Sequence, residues 1–103
     1  MEIKNMTDAE LVEAVAREVL RRDVKFLVDA VLLGCECGYK KWNPLSDAND
    51  LFMVLEKHDK WEIVRTAVYT VNIWIAPGEI KQASSIFLPR AVLEAALMAR
   101  IEK

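Results

Sequence analysis

The chain has 103 residues, 53% hydrophobic and 29% charged, which describes one folded domain over residues 1–103 and excludes a disordered chain. Its formal net charge is -2, so it lacks the dense basic footprint that direct nucleic-acid binding requires. No apolar run approaches the roughly 18–20 residues of a membrane span, and Met1 to Glu10 has none of the character of a signal peptide; the expectation is no membrane and a cytoplasmic location.

Thr7-Asp8-Ala9-Glu10 is a capping box, so a first helix starts near Asp8. Leu11, Val12, Val15, Ala16, Val19 and Leu20 come next at helical spacing and give it one apolar face. Glu13 and Arg17 lie on the other face, four apart and able to pair. Arg21-Arg22-Asp23 marks a break. Val24, Leu27, Val28 and Val31 then continue a helical stripe up to Gly34, so a second helix is preferred over residues 24–33. The valines leave a strand as the competing reading, and one long helix over 8–33 as a third.

Residues 34–41 are expected to be a loop. Cys35 and Cys37 are too close in sequence for a structural disulfide, and a metal site would need further soft ligands where the chain offers one histidine, His58. They are expected to stay reduced thiols, with no metal and no cofactor. Pro44 bends the chain, Ser46 or Asp47 supplies a helix cap, and a central helix is expected over 47–57. Ala48, Leu51, Phe52 and Leu55 form its apolar face.

From Trp61 to Ala76 the pattern changes to β. A strand is expected over 62–66, although Asp59-Lys60-Trp61-Glu62 also suits the start of a short helix. Tyr69, Val71, Ile73 and Ile75 alternate with Thr70, Asn72 and Trp74, as in a strand with one buried face. Pro77-Gly78 is a turn, and residues 80–87 return as a partner strand. Pro89 opens a last helix whose Val92, Leu93, Ala96, Leu97 and Ile101 face the core, with Arg90 and Glu94 pairing across solvent. Leu51, Phe52, Leu55, Val71, Ile73, Leu93 and Leu97 are expected to share one core. The sum is an α+β domain, an α-β-α layered sandwich with a small antiparallel sheet and helices before and after it.

No catalytic set is legible. There is no phosphate-binding glycine loop, no H-E-x-x-H and no nucleophile elbow, and His58 has no recognisable nucleophile beside it. Asp47 and Asp50 invite a metal-dependent enzyme as an alternative, against helix capping by the same carboxylates. Tyr39, Lys40, Lys41, Trp42, Asn43 and Asp47 form the candidate binding surface, because rigid aromatics beside cations are common at interaction hot spots. A competing reading makes Trp42 a plug in the core and Asn43 the tie of the turn. Three tryptophans in so short a chain are hard to bury in one small core, which points to a homodimer.

Trp42-Asn43-Pro44-Leu45-x-Asp47-x-x-Asp50, a helix ending in Glu56-Lys57, an N-terminal Ala14-Val15-Ala16-Arg17-Glu18-Val19 and a C-terminal Pro89-Arg90-Ala91-Val92-Leu93-Glu94-Ala95-Ala96-Leu97 resemble the phage ABA sandwich domain family. The pieces cover under half of the chain, in the family's order, and residues 22–41 depart from it by their length. The resemblance implies an α-β-α sandwich from a phage or prophage and brings no catalytic residues. The expected function is a non-enzymatic binder in phage–host conflict, blocking a host immune protein such as a CRISPR effector or sequestering a small nucleotide signal. An accessory or regulatory phage protein working as a homo-oligomer is the alternative.

Overall fold

The computed structural model describes residues 3–28, 30–35 and 38–101. The chain is α+β, with antiparallel strands between an N-terminal and a C-terminal helix. After a short 3-10 turn, α1 spans Asp8–Glu18, and its capping box is in place: Glu10 N–H donates to Thr7 Oγ1, and Thr7 N–H donates to Glu10 Oε1. The apolar face is buried as the spacing requires, from Leu11 through Leu20. Glu13 and Arg17 pair at 3.2 Å in solvent, a contact worth a few tenths of a kcal/mol at most.

The helix stops where expected, and Arg21 turns the chain at a positive φ of 56°. Residues 24–33 do not form a second helix. β1 (Val24–Phe26), β2 (Val31–Cys35) and β3 (Gly38–Lys41) form a three-stranded antiparallel meander. The β-branched valines favour extended backbone, and the strand pairing Val24 with Leu33 turns both inward to the core. Gly34, expected as a helix cap, lies inside β2, where a Cβ would come 3.3 Å from the Asp23 carbonyl oxygen. The loop expected over 34–41 is largely strand as well. Cys37 lies outside the described residues.

α2 spans Ala48–Leu55, shorter than expected, with Asp47 as its N-cap. It is also rotated. Leu51, Val54 and Leu55 are buried, whereas Ala48 is exposed and Phe52 is 42% exposed, its ring 6.1 Å from that of Trp61. Phe52 thus leaves the expected core, and Val54 replaces it.

β4 (Trp61–Arg65), β5 (Tyr69–Ala76) and β6 (Glu79–Ser85) make a second antiparallel sheet in the order β4-β5-β6. The strand reading of 62–66 therefore holds within one residue. The β4–β5 turn, Thr66-Ala67-Val68, holds no Gly, Pro, Asn or Asp, and Thr66 N–H donates to the Val68 carbonyl across it at 2.9 Å. At Pro77-Gly78 a φ of +80° falls on the glycine, which the second position of a type II turn requires. Such a turn splays the strands, and the register shift between Trp74 and Ala76 absorbs the mismatch.

The last helix, α3 (Leu88–Ile101), carries the core. Every residue from Ala91 to Leu97 is buried, because one side packs on β5 and β6 while the other meets α1 and α2. Ala91, Ala95, Ala96 and Ala99 keep its surface thin enough for neighbours on several sides. Ile101 was expected to join this core and instead is half-exposed at the helix end. Arg90 and Glu94 do pair, at 2.6 Å, but not across solvent: Glu94 is 5% exposed. No helix is long and apolar enough to cross a membrane among the described residues.

Candidate functional site

The residues singled out from sequence fall on β3 and the turn into α2, and the fold divides them. Adjacent residues on a strand face opposite sides, so Tyr39 and Lys41 share one face of the meander and Lys40 takes the other. Tyr39 pairs with Gly34, whose missing side chain leaves room across the sheet. The phenol reaches over to β1's approach and donates to Asp23 Oδ2 at 2.8 Å. Lys25 Nζ lies 4.3 Å above the ring, a cation–π contact at an exposed site. Arg17 Nη1 approaches the other Asp23 oxygen at 3.3 Å. The Tyr39 hydrogen bond, then the Val24 amide and Arg17, hold the Asp23 carboxyl below its usual range, while that same hydrogen bond raises the Tyr39 phenol.

Trp42 belongs to the core. Its N–H donates to the Val31 carbonyl at 2.9 Å, extending the ladder by one residue, and its side chain is 2% exposed. Among the described residues its indole Nε1 is buried without a hydrogen-bond partner. Asn43 and Asp47 tie the turn. The Asn43 carbonyl accepts from Ser46 and Asp47 N–H, and its own N–H donates to Asp50 Oδ2 at 2.8 Å. Asp47 Oδ1 accepts from Asn49 N–H at 2.9 Å as the helix cap. Both carboxylates of the metal alternative are thus engaged by backbone donors, and no cluster of three metal-ligating side chains occurs among the described residues.

Sequence reasoning missed the tip of the β1–β2 hairpin. Phe26, Leu27 and Val28 are consecutive, apolar and exposed, with Val28 standing fully in solvent. Assigning Leu27 and Val28 to a helical stripe hid this, although three apolar residues in a row have no solvent face in an alternating strand. Leu27, Val28, Val31, Lys41, Trp42 and Asn43 border a cavity of about 350 Å³. Lys40 and Lys41, both exposed, take no part in the ion pairs formed among the described residues. The meander therefore presents apolar area at its tip and free positive charge along β3.

His58 sits elsewhere, after α2. Its Nδ1 is 3.2 Å from the Val54 carbonyl, so that nitrogen carries the donated proton, and Nε2 is buried without a partner among the described residues. Burial, then the charge of Arg100, lowers its pKa from the ordinary 6.5. The folded state therefore binds a proton less readily than the unfolded chain, and stability falls as pH drops below 6.5 toward the depressed value. His58 is the single histidine. Melting curves between about pH 7.5 and 5.5 should show a falling Tm that flattens in His58→Gln, since no other side chain normally titrates there. An unchanged slope in the variant would place the proton uptake on another group.

Compared with known proteins, the chain matches no family model, no curated protein and no solved structure.

Proposed function

We propose that this chain is a non-enzymatic binder of phage or prophage origin that acts in the host cytoplasm by occupying the surface of a host immune protein. The family resemblance is the ground for the phage setting. The observation that carries the binding role is the exposed apolar run Phe26-Leu27-Val28, with the free cation Lys41 on the cavity that Leu27 and Val28 border and Lys40 on the other face of β3. An apolar centre with a charged rim is the common anatomy of a protein interface, and the cations favour a partner with an acidic surface. The cavity beside Lys41 supports a second reading, in which a small anionic nucleotide is held there; its volume lies at the low end of ligand pockets. We assign the homodimer as the working form.

The test is capture of host proteins from an infected lysate with the wild-type chain, Leu27→Asp, and the double change Lys40→Ala with Lys41→Ala. All three positions are exposed, so Tm should hold within about 2–4 °C per substitution. A specific partner lost in both variants supports the reading. Retention in both removes the meander as the site, and nucleotide binding detected by calorimetry, lost in the lysine double change but kept in Leu27→Asp, transfers the role to the cavity.

A further inference from the structure

β4 is an open edge. Trp61–Arg65 pairs with β5 on one side, and among the described residues no strand lies on the other. The direction of its backbone groups is given by the ladder's two ends. Trp74 N–H donates to the Lys60 carbonyl at 3.1 Å, and Thr66 N–H donates to the Val68 carbonyl at 2.9 Å. The even-numbered residues thus turn their N–H and C=O toward β5, and Trp61, Ile63 and Arg65 turn theirs outward.

The other edges carry the usual protections. β1 has only three residues with a lysine at its centre, β3 ends on Lys40-Lys41, and β6 carries Glu79 and Lys81. β4 carries Glu62 and Arg65 but no lysine and no proline, and its other three residues are Trp61, Ile63 and Val64. Trp61 and Val64 are both exposed large hydrophobics.

We propose that β4 is the contact between two copies of this chain, joined edge to edge and antiparallel about a two-fold axis at Ile63, so that the two β4–β5–β6 sheets become one. The inference rests on the homodimer reading above and supplies its surface. A two-fold axis perpendicular to a sheet keeps each side chain on its own face, so residues of like parity must meet. Centring on Ile63 satisfies this and pairs outward-facing residues only: Ile63 with its symmetry mate, and Trp61 with Arg65 of the partner subunit. Each pair can exchange both N–H···O bonds. The same register sets an arginine beside an aromatic ring at both ends. On the opposite face it brings Val64 against Glu62 of the partner subunit.

That last pairing makes the register testable at an exposed position. Light scattering and sedimentation of the wild-type chain across micromolar concentrations should give twice its 11.7 kDa. Ile63→Pro removes the outward N–H at the axis while leaving the β5 ladder intact, and should yield a folded monomer. Ile63 also packs against the core, so Val64→Glu and Val64→Lys carry the decision if that variant loses its fold. Val64→Glu sets like charges opposite each other twice and should weaken the dimer roughly tenfold, whereas Val64→Lys, facing Glu62, should not. A wild-type monomer at all concentrations overturns both the homodimer and this contact. A dimer that survives Ile63→Pro, or that responds alike to Glu and Lys at residue 64, overturns the β4 contact and leaves the homodimer standing.

Discussion

Trp42→Ala should cost about 3–5 kcal/mol of folding stability, the usual range for removing a buried aromatic. For a domain of this size that is a fall in Tm of more than about 10 °C. The side chain is 2% exposed and among the largest in the core. Its backbone closes the ladder onto Val31, and the next residue begins the turn that Asp50 and Asp47 hold together. Truncation therefore opens a cavity where the β1–β3 meander joins α2. Trp42→Phe should cost much less. It keeps most of the ring volume and removes an indole N–H that is buried without a partner, a group whose desolvation alone costs about 1–3 kcal/mol. Urea denaturation of the two variants checks this. Equal losses would mean that the indole nitrogen, not the packed ring, holds the site.

Arg90→Ala should be as severe, again about 3–5 kcal/mol, because it strands a buried carboxylate. Arg90 Nε meets Glu94 Oε2 at 2.6 Å, and Nη1 reaches Asp8 at 2.8 Å. Nη2 donates to the Met6 carbonyl. The guanidinium thus clamps the segment before α1 to the start of α3, joining positions more than 80 residues apart in sequence. Burial opposes its charge, yet Glu94 and Asp8 together hold its pKa above the ordinary arginine value. The Asp8 arm is mostly solvated and contributes little; the Glu94 arm, 6% exposed, carries the cost. The double variant Arg90→Ala with Glu94→Ala should be more stable than Arg90→Ala alone, since it removes the unpaired charge along with its partner. Additive losses in the double-mutant cycle would show the two residues acting independently.

Much of the fold was legible because local physics decided it. The Thr7–Glu10 box, the face from Leu11 to Leu20, the alternation from Tyr69 to Ile75 and the Pro77-Gly78 turn each depend on neighbours in sequence, and each stands as expected. The candidate site was legible only in part. Tyr39, Lys40 and Lys41 were expected as one surface with Trp42, but strand alternation and burial separated them, and the apolar tip from Phe26 to Val28 passed unseen.

Residue order alone was enough for the α+β composition, the ends of α1, the central turn and the identity of most core residues, because capping, periodicity and turn chemistry act over a few residues. The rest depended on packing. Residues 24–41 became strands because pairing Val24 with Leu33 buries both, a gain that no single segment can realise. Phe52 went outward and Val54 inward because α2 is oriented by its seat on α3. Arg90 and Glu94 have the spacing of a solvent pair, and only the approach of α1's leading segment and of neighbouring elements to α3 enclosed them. Such contacts join residues far apart in the chain, and their energy exists only once the elements are packed.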